Sequence, residues 1–142
     1  MIYGELTVLR PFCPADTAHV LAWSLDPEIH RLVEGDYPRS PMDILAWTRE
    51  MQRNRQKKYY IILDQSQAPI GDVELDHICW RRGEAELRIR IGEKRLWNQG
   101  YGTDSIRALL AHAFNRMNLR RIYLRVFADN RRAIGCHRKC GF

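Results

Sequence analysis

Residues 84–91 (Glu-Ala-Glu-Leu-Arg-Ile-Arg-Ile) alternate polar and apolar without a break, and shortly afterwards the chain changes to a helical period. The alternation predicts a strand with Ala85, Leu87, Ile89 and Ile91 on one face. Beyond Trp97-Asn98-Gln99-Gly100-Tyr101-Gly102, apolar residues fall at Ile106, Leu109, Leu110, Ala113, Phe114 and Met117. That spacing predicts an amphipathic helix over 103–117. A strand feeding a helix through a glycine-rich turn narrows the choice to an α/β chain.

The flanking segments fit the same class. Residues 58–64 and 70–79 have strand composition, and Arg81-Arg82-Gly83 marks a turn, so 58–91 is expected to be an antiparallel meander. Residues 5–10 form an earlier strand. Asp16 is expected to cap a helix whose apolar positions are Ala18, Leu21, Ala22 and Leu25. Pro27, Gly35 and Pro38 break residues 26–40 into a short helix and a loop. Ser40-Pro41 then opens a helix to about Arg55, with Ile44, Trp47 and Met51 inward. Residues 121–128 form another strand. Asp129 and Asn130 cap a last helix, Arg131 to Lys139, closed by Gly141. The predicted order is β-α-α-β-β-β-α-β-α, a mixed, mostly antiparallel sheet flanked by helices.

The 142 residues are expected to make one domain, 1–142, and a 45% apolar content excludes intrinsic disorder. No apolar run approaches the ~20 residues of a membrane span. No basic segment with an apolar stretch opens the chain, so a cytoplasmic location is expected. Cys13, Cys79, Cys136 and Cys140 are expected to be free thiols. Cys136 and Cys140 flank His137, but no second ligand pair exists elsewhere, so no metal is expected. The net charge of +6 favours an anionic partner. Nucleic acid is not expected, because the aromatics do not interleave with arginines on one strand face. Nor is a membrane partner expected.

The turn around Gly100-Tyr101-Gly102-Thr103 is the feature closest to chemistry. Exposed N–H groups at a helix N-terminus form an anion site, and glycines allow close approach. No Gly-Lys-Ser/Thr follows, so it is not a P-loop. Asp104 follows where a dinucleotide fingerprint would need its third glycine.

Four stretches in order resemble the GNAT superfamily of N-acetyltransferases. They are Leu6-Thr-Val-Leu-Arg-Pro11, Ala85 to Gly92, Trp97 to Thr103, and Asn130-Arg-Arg-Ala-Ile134 through Gly141-Phe142. Within the superfamily the chain looks most like the branch of ribosomal-protein N-terminal and polyamine acetyltransferases. The resemblance covers essentially the whole chain.

That resemblance implies acetyl-CoA as acetyl donor and a primary amine as acceptor: a protein N-terminus, a polyamine or another small amine. It implies two splayed strands gripping the pantetheine arm, with the backbones of Ile89, Arg90 and Ile91 pairing to its amides. It places the pyrophosphate on Trp97, Asn98, Gln99, Gly100, Tyr101, Gly102 and Thr103, and Asn130 beside the pantetheine. Arg90, Arg131 and Arg132 are expected near the phosphates. In the family a tyrosine of the last helix protonates the departing sulfur; the matching residue is His137. A glutamate used as base by some relatives is matched by Arg125, so Glu86 becomes the candidate base. A lysine-like amine costs about 4.6 kcal/mol to deprotonate at pH 7, so such a base has work to do. Glu28, Glu34 and Asp36 are candidates for attracting a cationic acceptor.

Relatives continue beyond the Gly-Phe pair, so the C-terminal strands are expected to be missing and the domain truncated. An uncovered sheet edge would favour a homodimer. The rival expectation is a catalytically silent coenzyme A-binding sensor module, suggested by His137 and Arg125 at the catalytic positions.

Overall fold

The computed structural model describes residues 1–142. A six-stranded sheet runs in sequence order: β1 (Ile2–Tyr3), β2 (Val8–Pro11), β3 (Lys58–Leu63), β4 (Pro69–Cys79), β5 (Glu84–Ile91) and β6 (Arg121–Tyr123). The first four pairings are antiparallel and the last, β5 with β6, is parallel. The helices are α1 (Thr17–Leu25), α2 (Pro27–Leu32), α3 (Pro41–Arg53), α4 (Tyr101–Asn115) and α5 (Arg131–Lys139). This is the expected mixed sheet. None of its helices is long and apolar enough to cross a membrane.

The alternation in β3, β4 and β5 divides the interior into two layers. On one face Ile62, Val73, Leu75, Ala85 and Leu87 meet Ile106, Leu109 and Ala113 of α4, and this is the main apolar core. On the other face Tyr59, Ile61 and Leu63 meet Val20 and Trp23 of α1, with Trp47 and Met51 of α3 packed around them. The same second face of β4 and β5 carries Asp72, Glu74, Asp76, Glu86 and Arg90, all buried. The sheet is therefore polar inside as well as apolar.

Three expectations are corrected. The buried side of α1 is Val20, Trp23 and Ser24, not Ala18, Leu21, Ala22 and Leu25. This helix is apolar almost all round, so its period could not select a face. What selects it is the sheet: the Trp23 ring lies where a Cβ on Gly92 would stand 2.2 Å away. Asp16 does not cap α1 with its side chain. Its carboxylate instead takes both guanidinium nitrogens of Arg10 at 2.7 and 2.8 Å and the Cys13 N–H at 2.8 Å. Finally, the strand predicted at 121–128 is paired only over Arg121–Tyr123. Beyond Tyr123 the chain diverges from β5 and leaves the ladder.

Two caps behave as expected. Ser40 Oγ accepts the Asp43 N–H at 3.3 Å, opening α3. At the end of α5, Gly141 has φ +97°, a conformation that glycine adopts without a Cβ clash. The Gly141 N–H donates to the Arg138 carbonyl and the Phe142 N–H to that of His137, each at 3.1 Å. The turn folds Phe142 back so that its ring packs edge-on against the His137 ring, 6.1 Å between centroids.

Asp104 holds the start of α4 to the β1–β2 connection. It accepts the N–H groups of Glu5, Leu6 and Thr7 at 2.9 to 3.0 Å and the Thr7 hydroxyl at 2.7 Å. Those bonds hold its carboxyl below the usual range despite partial burial. The residue that replaces a third glycine is thus an anchor for the turn before it.

Candidate active site

The parting of β5 and the chain after β6 opens a cavity of about 400 Å³. Its walls are β5 from Glu86 to Ile91, residues 124–127, the turn into α4, and α5. Gly92 N–H donates to Ile70 across the sheet, while the Ile91 carbonyl faces the opposite way and accepts the Trp97 indole N–H at 2.7 Å. By the alternation of an antiparallel ladder, Ile89 directs both its N–H and its carbonyl to that open edge, and Ile91 its N–H. Arg90 turns its backbone into the sheet instead.

At one end of the cavity lies the N-terminus of α4. Gly100 takes φ +90° and places no capping side chain there. The N–H groups of Tyr101, Gly102 and Thr103 have no protein acceptor. Arg132 stacks on the Trp97 ring at 3.6 Å, and neither it nor Arg131 has an acidic partner. Orphan amides, a helix dipole and two unpaired guanidiniums suit a phosphate-bearing ligand. Trp97 thus has a structural role: it ties the turn to the end of β5 and supports Arg132.

At the other end, acidic and basic groups interleave. Glu86, almost fully buried, accepts from Arg88 Nη2 at 3.0 Å and from Arg125 Nε at 2.8 Å. Glu34 also lines the cavity. Glu28 is drawn to Lys94 at 3.4 Å, and Asp36 is not in the wall.

His137 projects from α5 to the cavity wall and is 7% exposed. Its Nδ1 is a buried nitrogen without a hydrogen-bond partner. Such an atom is uncommon in a folded chain. Burial pushes the His137 pKa below the usual imidazole value and favours the neutral ring.

Of the residues singled out in the sequence, Glu86, Ile89, Arg90, Ile91, Trp97, Asn98, Gly100, Tyr101, Gly102, Thr103, Asn130 and His137 all meet at this cavity. Gln99 does not line it; its side-chain amide donates to the Arg95 carbonyl at 2.6 Å. The Arg90 guanidinium is not near the phosphate end. It is buried on the second sheet face, bonded to Asp72 and to Ser24 Oγ, and stacked 3.6 Å over the Tyr37 ring. Asn130 caps α5 through Oδ1 to the Ala133 N–H and donates Nδ2–H to the Leu32 carbonyl. It keeps one N–H and one lone pair for a ligand. Arg88 pairs with Glu86 within the same strand, the arrangement its spacing suggested; the stacking of Arg132 on Trp97 was not legible, because it joins side chains from separate elements.

Behind Glu86, the buried face forms one charged network. Arg88 bonds Asp76, Glu74 and Glu86, and Lys57 lies 3.6 Å from both Glu74 and Asp76. Burial is the largest influence on Glu74 and raises its pKa from 4.5 to about 7, with Lys57 and Arg88 opposing and Asp72 and Asp76 assisting. The folded chain therefore binds this proton more tightly than the unfolded one. Its stabilising contribution is present below about pH 4.5 and is lost as pH rises through about 7. Buried His137, with its pKa lowered, acts oppositely, so the comparison must be with a variant. Glu74→Gln is expected to lose less stability than the parent between pH 4.5 and 7. Urea unfolding across that range checks this, and parallel curves for the two proteins would contradict it.

The comparisons with known proteins bear on the family and the fold. A family model described as "Acetyltransferase (GNAT) domain" matches residues 7–142. A spermidine N(1)-acetyltransferase of Vibrio cholerae is 28% identical over 96 residues, which is 68% of this chain but 54% of that protein. The chain thus aligns with about half the length of that relative. An N-acetyltransferase 9-like protein of Caenorhabditis briggsae is 23% identical, covering 99% of this chain and 76% of its own. Among solved structures, the Vibrio cholerae spermidine N-acetyltransferase in complex with CoA and spermine superposes with a TM-score of 0.87. It is 23% identical over 96% of this chain and 80% of that one, a likeness of fold. The family model spans the open strand pair, the α4 turn and α5 together, and the chain belongs to the GNAT acetyltransferase family.

Proposed function

We propose that the chain is an acetyl-CoA-dependent N-acetyltransferase acting on a primary amine, with a cationic polyamine as the favoured acceptor. The observation that carries this reading is the cavity's polarity. Unpartnered amides and arginines stand at one end, and at the other stand the carboxylates Glu34 and Glu86, with Arg88 and Arg125 bonded to Glu86. A polyanionic cofactor suits the first end and a cationic amine the second. The spermidine acetyltransferase relatives support the acceptor class.

Acetyl-CoA, when bound, supplies an acetyl thioester for direct attack by the amine. The amides of Tyr101, Gly102 and Thr103, with Arg131 and Arg132, would hold its phosphates. Ile89, with its N–H and carbonyl, and Ile91, with its N–H, would align the extended arm along the edge of β5. An N–H on that edge would stabilise the negative charge that develops on the carbonyl oxygen. Glu86 would take the ammonium proton, directly or through water, once an oxygen is released from its guanidinium partners. His137 would place a ring N–H near the departing sulfur. Homo-oligomerisation belongs to the same proposal, since β6 leaves an open sheet edge; one solved relative is described as dodecameric.

Thiol release from acetyl-CoA, measured with spermidine, monoamines and peptide N-termini, tests the reading. No release with any of them would contradict it. His137→Ala is expected to lower kcat about 100-fold, the scale of losing one positioned proton-transfer or donor group, with cofactor Kd within about twofold. An unchanged kcat would remove His137 from the reaction.

A further inference from the structure

Arg125 stands where some relatives carry a base, and its surroundings give it a different use. Its side chain is 63% exposed, yet it bonds Glu86, whose side chain is 3% exposed. Nε donates to Glu86 Oε1 at 2.8 Å, and no other carboxylate bonds it. Glu34, which also lines the cavity, is close enough to act on its charge. The second guanidinium on Glu86 is different in kind. Arg88 is 13% exposed and also holds Glu74 and Asp76, so it is fixed in the buried network. Arg125 has a single anchor, open water on its outer side, and a position on the chain that has already left the sheet.

We propose that Arg125 is a built-in competitor for the acceptor: its guanidinium occupies Glu86 Oε1, the position an incoming cationic amine must take. The inference rests on the proposed amine-acceptor reading and adds a specificity determinant to it. When Arg125 swings to solvent, Glu86 and Glu34 face the cavity without that cation between them. An acceptor with two or more positive charges can then engage both carboxylates. A monoamine engages one and competes less well with the guanidinium. Arg125 therefore raises the threshold for weakly charged amines and keeps Glu86 paired while no acceptor is present. An ion pair with one exposed partner is of modest strength, which allows a substrate to open it.

The test is calorimetric titration with spermidine, without coenzyme A, so that it does not depend on the transfer reaction. Arg125→Met keeps the aliphatic stem and removes the charge. It is expected to bind spermidine about tenfold tighter than the parent. Arg125→Lys, which keeps a cation, is expected to stay within about threefold of the parent. Adding Glu86→Gln to Arg125→Met is expected to abolish the gain. Spermidine Kd equal to or weaker than the parent's in Arg125→Met, or no detectable binding by that variant, would overturn the proposal. Coenzyme A affinity is measured on the same samples and is expected to be unchanged by Arg125→Met. Failure of coenzyme A to bind the parent would strike the proposed function and leave the spermidine comparison readable.

Discussion

Gly100→Glu is expected to weaken coenzyme A binding about 1,000-fold or more. Gly100 is the residue before the first turn of α4, at φ +90°, and the next three N–H groups have no acceptor. Two costs fall on the variant. A non-glycine residue in the left-handed region costs about 1–2 kcal/mol. Space is not the obstacle, since the nearest atom to an added Cβ is Leu6 Cδ1 at 3.7 Å. The larger cost is electrostatic. A carboxylate about 4 Å from a phosphate charge costs about 4 kcal/mol at an effective dielectric of 20. It would also occupy the amides that the phosphate needs. Gly100→Ala separates the two, because it carries the strain without the charge. It is expected to lose some stability and less than tenfold in affinity. Calorimetry on both variants decides it. A Kd for Gly100→Glu within tenfold of the parent would move the phosphate site away from this turn.

Asp72→Ala is expected to cost about 3–5 kcal/mol of folding stability, the usual cost of leaving a buried charge unpaired. Asp72 and Arg90 are 1% and 3% exposed. Two guanidinium nitrogens of Arg90 bond the two carboxylate oxygens, and the Tyr59 hydroxyl donates to Asp72 Oδ2. Without Asp72 the guanidinium keeps only Ser24 Oγ and the Tyr37 ring. Burying a cation on those terms is unfavourable, and a domain of this size has about 5–15 kcal/mol in total. Replacing both partners, Asp72→Leu with Arg90→Met, is expected to be much milder than Asp72→Ala alone, since no unpaired charge remains. Urea unfolding measures all three proteins. A cost below about 1 kcal/mol for Asp72→Ala would contradict the buried-pair reading.

Strand composition at 58–64 and alternation at 70–79 and 84–91 carried the sheet through to the structure, helical spacing carried α4, and cap residues carried α5. All of these are local signals. The buried charged layer was half legible. The alternation puts Asp72, Glu74, Asp76, Glu86, Arg88 and Arg90 on one face, but such a face is most often solvated. Ser24 of α1 and the Tyr37 ring, brought over its Arg90 from elsewhere in the chain, help to make it interior. The buried side of α1 was illegible for the same reason, because the choice among its apolar positions belongs to the sheet below. Asp104 gave a local signal as an acidic residue in a first helical turn. Its partners lie 97 to 99 residues away in sequence, and nothing local points to them. The strand at 121–128 had the right composition throughout. Its outer half stays unpaired because β5 turns away, and that divergence makes the cavity.

The most direct test of the central claim is calorimetric titration of the 142-residue chain with acetyl-CoA, followed by coenzyme A. The account expects one site with a micromolar Kd for each, lost in Gly100→Glu. A folded chain that takes up neither ligand would contradict it.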